Sequence, residues 1–214
     1  GEFLNAAEGA LILEIAEKED FSFAEVDDLG NITKNDSYID IHIDEVLNLS
    51  LVDADTIRKA KFKVVVDGVN STGGIAIPKL LKELGVEVVE LYCDPTGHFP
   101  HNPEPLKEHL KDICDLVLKE KADFGIVVDP DVDRLAFISD DGEMFGEEYT
   151  LVACADYVLS KTKGSTVSNL SSSRALRDIT EKHGGTYAAA AVGEVNVVTK
   201  MKATNAVIGG EGNG

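Results

Sequence analysis

Three aspartates stand at alternate positions directly after an apolar run of the chain. The run, 124–128, is rich in β-branched residues, which is typical of a buried strand, and Pro130 ends it. If the backbone stays extended beyond the run, Asp129, Asp131 and Asp133 point the same way, because side chains alternate along a strand. Two unit charges about 4 Å apart interact by about 4 kcal/mol at an effective dielectric near 20. Such a cluster must therefore hold protons or bind a cation.

The chemistry of this cluster favours a hard divalent cation. Carboxylate oxygens in a compact acidic turn suit Mg²⁺, with Ca²⁺ and Mn²⁺ as relatives. Arg134, the next residue after the cluster, adds a fixed positive charge whose forked donors suit a phosphate. The alternative is a solvated acidic turn that ends a strand. We predict a Mg²⁺ site made of Asp129, Asp131 and Asp133, with Arg134 beside it.

Two other kinds of aspartate loop are alternatives to this prediction. A calcium-binding EF-hand loop fails, because Arg134 stands where that loop needs glycine and Asp140 where it needs glutamate, and because the flanks are strand-like. A phosphatase of the haloacid-dehalogenase type also carries D-x-D after a strand. In such enzymes the residue two positions past the second aspartate is usually threonine or valine, whereas here it is Asp133. The phosphatase stays an alternative.

Two further segments hold residues that bind ligands in other proteins. Segment 67–74 is glycine-rich and leads into a predicted helix, but it has neither the lysine of a Walker loop nor the G-x-G-x-x-G spacing. A tight structural turn is therefore favoured over a phosphate cradle. Segment 98–105 has two histidines and an asparagine among three prolines. It is interpreted as a rigid extended spacer that packs against a neighbouring domain, in preference to a metal site.

The last six residues, 209–214, place one carboxylate and one amide among four glycines. Glycines let a ligand approach the backbone closely, and Glu211 and Asn213 are able to accept from and donate to sugar hydroxyls. A plain glycine hinge is an equally good interpretation of this segment alone.

Composition and charge argue against several classes of protein. With 39 acidic and 20 basic residues, the formal charge of −19 argues against nucleic acid or a membrane surface as a partner. The three cysteines are widely spaced, which favours reduced thiols in a cytoplasmic protein over disulfides or a zinc site. No apolar stretch reaches the roughly 20 residues of a membrane span, and the start lacks a signal-peptide pattern. We expect the chain to be a piece of a longer protein.

Strand and helix patterns alternate along most of the chain, which indicates two consecutive three-layer α/β units with mixed sheets, the second incomplete. Boundaries are expected near residues 40 and 146, which gives segments 1–40, 41–146 and 147–214. In such sheets, ligands bind at the carboxyl ends of strands. The predicted strands are 62–66, 86–91, 124–128, 135–138, 165–170, 186–192 and 206–208, and the predicted helices are 3–18, one that ends near 60, 75–84, 106–121, 146–161, 174–183 and 194–202.

Five segments together resemble the α-D-phosphohexomutase family, which includes phosphoglucomutase, phosphomannomutase and phosphoglucosamine mutase. The resemblance covers essentially all of the chain and is most specific at 129–134. It implies a four-domain enzyme, of which this chain holds the tail of the first domain, the whole second domain and most of the third. It also implies that the loop with the phosphorylated serine and the fourth domain lie elsewhere. The segments are 67–74, 99–105, 129–134, 146–150 and 210–214.

The resemblance implies interconversion of a hexose 1-phosphate and a hexose 6-phosphate through a hexose 1,6-bisphosphate, with this chain alone inactive. One departure is that 191–194 lacks the basic residues that many members carry there, so an acid–base role for that loop is not expected. A Mg²⁺-dependent sugar-phosphate phosphatase and a non-catalytic sugar-phosphate or metal-binding module stay open. The roles implied are metal binding by Asp129, Asp131 and Asp133, phosphoryl contact by Arg134, and sugar recognition by Gly210, Glu211 and Asn213.

Overall fold

The computed structural model describes residues 4–212 and divides into two compact units, 1–38 and 39–214. The described part of the first unit contains helix α1, Ala6–Glu17, and a 3-10 turn, Val26–Asp28. Helix α1 begins with a capping box. The Asn5 side chain accepts from backbone N–H groups of the first turn, and the Glu8 carboxylate accepts from the Asn5 N–H at 2.8 Å. The helix predicted over 3–18 is therefore present and starts at this cap.

The second unit opens with a mixed four-stranded sheet in which β1 (Lys63–Asp67), β2 (Glu87–Leu91), β3 (Phe124–Val128) and β4 (Leu135–Ser139) have the order β2-β1-β3-β4. Strand β1 pairs in parallel with both β2 and β3, while β4 runs antiparallel to β3. The mixed sheet expected for this unit is thus observed. The elements are α2 Tyr38–Leu47, α3 Ala54–Ala60, β1 Lys63–Asp67, α4 Gly73–Glu83, β2 Glu87–Leu91, a 3-10 turn Lys107–His109, α5 Lys111–Glu120, β3 Phe124–Val128 and β4 Leu135–Ser139.

Helices cover both faces of this sheet because its central strand is apolar on both sides. Val64 and Val66 pack with α4 residues such as Leu81, whereas Val65 faces the opposite way and packs with Ile113 and other residues of α5. This alternation follows from the period of two along a strand. The result is a three-layer α/β/α arrangement, as predicted.

The helix expected to end near residue 60 is divided in two. Helix α2 stops at Leu47, and α3 starts afresh at Ala54. Asp53 caps the new start, because its carboxylate accepts from both the backbone N–H and the hydroxyl of Thr56. A single continuous helix was therefore the wrong prediction, and the Asp53 cap is the physical reason.

The second sheet consists of β5 (Ser165–Asn169), β6 (Tyr187–Ala190) and β7 (Ala206–Gly210) in the order β6-β5-β7, and these strands are all parallel over the described residues. It therefore differs from the mixed sheet that we expected here. Val167 on β5 packs against Val197 of α8, while the neighbouring Thr166 bonds the Thr180 hydroxyl of α7, so these helices cover opposite faces. The elements are α6 Glu147–Lys161, β5 Ser165–Asn169, α7 Ala175–Lys182, β6 Tyr187–Ala190, α8 Glu194–Thr204 and β7 Ala206–Gly210.

The domain boundary expected near residue 146 falls between β4 and α6 and stays a prediction. All three cysteines are free thiols. Within the described residues, none of the helices combines the length and the apolar character needed to cross a bilayer.

Candidate functional site

The three aspartates converge at a turn that follows β3. One oxygen from each of Asp129, Asp131 and Asp133 lies within 4.8 Å of the others, so the expected cluster is present. The reason we gave for it was wrong, because the backbone does not stay extended. The Val132 N–H donates to the Asp129 carbonyl at 3.2 Å, and Val132 has a φ of +62°, in the left-handed region. A tight turn, and not strand alternation, brings the carboxylates together.

The glycine-rich segment 67–74 holds this turn in place. The hydroxyls of Ser71 and Thr72 both donate to the Pro130 carbonyl at 2.8 Å. A Cβ added at Gly73 would lie 2.4 Å from the Val128 side chain, so only glycine allows α4 to start this close to β3. The interpretation of 67–74 as a structural turn is supported, and the turn has the additional role of supporting the aspartates.

Burial makes one of the carboxylates hard to ionise. Asp129 is 7% exposed, whereas Asp131 and Asp133 are exposed to solvent. Burial raises the pKa of Asp129 above its ordinary value, and the Asp133 carboxylate beside it raises the pKa further, while the Arg134 N–H bonded to Asp129 lowers it in part. A bound cation would offset both the desolvation and the repulsion.

The donor set fits the expected metal. Three carboxylates offer hard oxygen ligands, which suit Mg²⁺ and leave its other coordination positions for water or a phosphate oxygen. The turn is open on the side of Asp131 and Asp133, so such a ligand has access.

Arg134 contacts a carboxylate that the sequence did not identify. Its Nη1 donates to Glu104 Oε1 at 2.6 Å, and its backbone N–H donates to Asp129 Oδ1 at 3.1 Å. Glu104 belongs to segment 98–105, for which we predicted packing against a neighbouring domain. No pattern in the sequence links Glu104 to Arg134, because the two residues are thirty positions apart.

The histidines of that segment are absent from the described acidic cluster. His101 Nδ1 donates to the Asn102 carbonyl at 2.7 Å, and Nε2 lies 3.0 Å from the buried Asp67 carboxylate at the end of β1. The His101 ring also meets the Tyr92 ring edge-on, with centroids 5.8 Å apart. His101 therefore fixes the segment to its own sheet. The preference for a spacer over a metal site stays a prediction.

Glu211 follows β7 and caps the loop before α8. Its Oε1 accepts from the Gly193 N–H at 2.6 Å, and Gly193 has a φ of +110°, which favours glycine. Glu194 begins α8 next to this contact and brings a further negative charge, in keeping with the absence of basic residues in 191–194. Gly210 ends β7, whereas Asn213 lies outside the described residues.

A cleft of about 910 Å³ joins these features. Its lining includes Asp133 and Arg134 from the aspartate turn and Gly210 and Glu211 from the end of β7 and the loop after it. Glu148, which lies in segment 146–150, lines it too and accepts from the Ser173 N–H at 2.7 Å. Among the described lining residues, Arg134 is the positively charged one, beside the carboxylates of Glu104, Asp133, Glu148, Glu194 and Glu211. Arg134 is therefore the side chain of the lining that is able to pair with a phosphate.

The fold and cleft match a known class of α/β protein. Residues 40–142 match the family described as phosphoglucomutase/phosphomannomutase, alpha/beta/alpha domain II, and residues 146–214 match alpha/beta/alpha domain III of the same family. The chain belongs to the phosphoglucomutase/phosphomannomutase family. This is the phosphohexomutase family that the sequence motifs resemble.

Individual relatives agree with this family. The chain is 37% identical to a phosphoglucomutase/phosphomannomutase of Thermococcus kodakarensis, over 96% of this chain and 45% of that protein. It is 32% identical to a probable phosphoglucosamine mutase of Methanopyrus kandleri, over 91% of this chain and 42% of that protein. A crystal structure of a family protein from Burkholderia thailandensis matches with a TM-score of 0.78 at 26% identity, over 98% of this chain and 44% of the other. The chain thus spans a little less than half the length of these proteins.

Proposed function

We propose that this chain is the central part of a phosphohexomutase that interconverts hexose 1-phosphates and hexose 6-phosphates. The observation that carries the proposal is the shared cleft, where the end of the aspartate turn faces the loop after β7. A sugar phosphate needs a cationic site for its phosphate and hydrogen-bonding groups for its hydroxyls. Arg134 and Glu211 supply these groups, and both line the same cleft.

The aspartate turn is proposed to hold Mg²⁺ through Asp129, Asp131 and Asp133. Mg²⁺, when bound, would neutralise charge on a transferring phosphoryl group. The side chain of Arg134 has five N–H donors, of which one bonds Glu104, so others stay available for phosphate oxygens. The phosphoryl donor, a phosphoserine in the family resemblance, is assigned to none of the residues of this chain.

Glu211 is proposed to recognise the sugar. One of its oxygens is bonded to Gly193, but a carboxylate has two oxygens and several lone pairs, so it keeps capacity to accept from hydroxyls. Gly210 lets the ligand approach the backbone beside it. Asn213 is proposed to take part in the same recognition of the sugar. A cytoplasmic location is proposed as well, because the three free thiols suit a reducing compartment.

The test is an assay of the full-length gene product with Mg²⁺, a hexose 1-phosphate and a trace of the matching hexose 1,6-bisphosphate. Formation of hexose 6-phosphate that depends on the bisphosphate is the expected result. Release of free phosphate without isomerisation would favour the phosphatase, and saturable binding without turnover would favour a binding module. Either of these two results would overturn the proposal.

A further inference from the structure

The segment 98–105 places a single carboxylate against the arginine that follows the aspartate turn. Glu104 Oε1 lies 2.6 Å from Arg134 Nη1, and both residues line the cleft. The two side chains are 42% and 40% exposed. An ion pair this accessible to water contributes little to folding stability. Its geometry therefore calls for an explanation other than stability.

The backbone around Glu104 is fixed by its own contacts. The Glu104 N–H donates to the Asn102 side-chain oxygen at 3.1 Å, and Pro105, the next residue, is buried. On the other side, His101 is tied to Asp67, which is 1% exposed at the end of β1. The carboxylate of Glu104 thus projects from a segment that is attached to the sheet core, and not from a loose loop.

Arg134 has other carboxylates within its reach along the chain. It directly follows Asp133 and already donates its backbone N–H to Asp129. A guanidinium without a competing partner would be attracted to this acidic turn, where it would take the place of a cation and turn its donors away from the cleft. Glu104 supplies the competing partner on the cleft side.

We propose that Glu104 is a positioning residue, which holds the Arg134 guanidinium away from the aspartate turn and directs its remaining donors at the substrate phosphate. This inference rests on the proposed function, since it assigns a role within the same site. Glu104 itself does not contact the reacting atoms. The segment 98–105 is then part of the active-site framework.

The kinetic test compares Glu104→Ala with Glu104→Gln in the full-length protein. We expect the alanine variant to lose about tenfold in kcat, which corresponds to about 1.4 kcal/mol, with KM and the melting temperature little changed. The glutamine variant keeps an acceptor oxygen and is expected to recover most of this loss. Glu108→Ala is the matched control, because Glu108 lies four residues on, in the 3-10 turn Lys107–His109, with its side chain 75% exposed. It should behave as wild type.

A double-mutant cycle shows whether Glu104 acts through Arg134. In an Arg134→Ala background, Glu104→Ala should cause no further loss of kcat, because there is no guanidinium left to position. An equal tenfold loss in both backgrounds would overturn the proposal, as would full activity of Glu104→Ala in the wild-type background.

A second measurement does not depend on mutase activity. In protein labelled with ¹⁵N-arginine, the Arg134 Nε–H signal, assigned from its loss in the Arg134→Ala variant, should shift in Glu104→Ala and stay in place in Glu108→Ala. An unchanged Arg134 signal in Glu104→Ala would refute the contact. If the contact is found in a protein without mutase activity, the proposed function fails while the Glu104–Arg134 pairing stands.

Discussion

Mg²⁺ is expected to stabilise this chain through the aspartate turn. Oxygens of the three carboxylates lie within 4.8 Å of one another. Each pair of charges at that distance repels by about 3.5 kcal/mol at an effective dielectric near 20 and by just under 1 kcal/mol in bulk water. Since Asp131 and Asp133 are exposed, the lower figure is the better guide for them. Unfolding separates the carboxylates, so a cation that relieves the repulsion binds the folded chain in preference.

The size of the effect follows from mass action. Three protein oxygens leave Mg²⁺ with several waters, so we expect a dissociation constant on the order of 1 mM. At about ten times that concentration, binding adds about 1.4 kcal/mol to the free energy of unfolding. For a chain of 150–250 residues, this corresponds to a rise of about 3–6 °C in melting temperature.

The assay is a pair of thermal melts, with and without Mg²⁺ at matched ionic strength. The Asp129→Asn/Asp133→Asn variant should lose the shift. The control is Asp27→Asn/Asp28→Asn, which removes two exposed carboxylates from a 3-10 turn elsewhere and so changes the charge of the chain equally. Equal shifts in wild type and in both double variants would mean general screening of a chain with a charge of −19, and the site assignment would be refuted.

Three further results are expected. Asp131→Asn should reduce turnover of the full-length enzyme by about a hundredfold or more and leave the fold intact, because it removes a metal ligand from an exposed turn. Glu211→Ala should raise the KM for hexose phosphate and leave Mg²⁺ affinity unchanged, with about 1 kcal/mol lost in stability because the Gly193 N–H loses its acceptor. Asp67→Asn should gain stability relative to wild type as the pH rises. Burial raises the pKa of Asp67 in the folded state above its ordinary pKa of 3.8. The stability that the protonated Asp67 contributes below pH 3.8 is therefore lost as the pH rises through the pKa of the folded state.

Each of these three has a measurement that decides it. Steady-state rates over a Mg²⁺ titration test Asp131→Asn, and an unchanged rate and Mg²⁺ dependence would contradict the metal assignment. For Glu211, the KM for hexose phosphate and the Mg²⁺ affinity are measured in Glu211→Ala and in Glu211→Gln, which keeps an acceptor for the Gly193 N–H. If both quantities are impaired equally in both variants, Glu211 serves the metal site or the fold and not the sugar. For Asp67, urea unfolding between pH 4 and 7 gives the stability difference, and a difference that is constant with pH would disprove the linkage.

The sequence predicted most strands and helices because their periodic patterns are local. The apolar run at 62–66 indicated a strand, and β1 lies there with Val64, Val65 and Val66 buried. The helix predicted over 106–121 is also present, although it begins only at Lys111, after a 3-10 turn. The cluster at 129–133 was also predictable, since carboxylates this close along a chain meet in almost any compact conformation. The tight turn that brings these carboxylates together was not predictable, because the left-handed conformation of Val132 is unusual for a β-branched residue.

Contacts between residues far apart in the sequence could not be predicted from the hydrophobic pattern. The bond from the Gly193 N–H to Glu211 and the pair of Glu104 with Arg134 join residues that are 18 and 30 positions apart. Each contact depends on the direction in which two loops leave their sheets, and hydrophobic periodicity does not determine that direction. The mixed order expected for the second sheet failed for the same reason, since strand direction is set by connections and not by the strand itself.

The strand ends explain why remote segments form one site. Strands β1 and β3 are parallel neighbours, so the glycine-rich turn after β1 and the aspartate turn after β3 leave the same edge of the sheet, and the Ser71 and Thr72 hydroxyls reach Pro130. Strand β7 of the second sheet ends at Gly210 and brings Glu211 to the cleft from the other side. Ligands gather at such carboxyl ends because loops there vary without disturbing the strands. Segment 98–105 begins one loop after β2, at this same edge, and so Glu104 reaches Arg134 across the sheet without any sequence signal of its own.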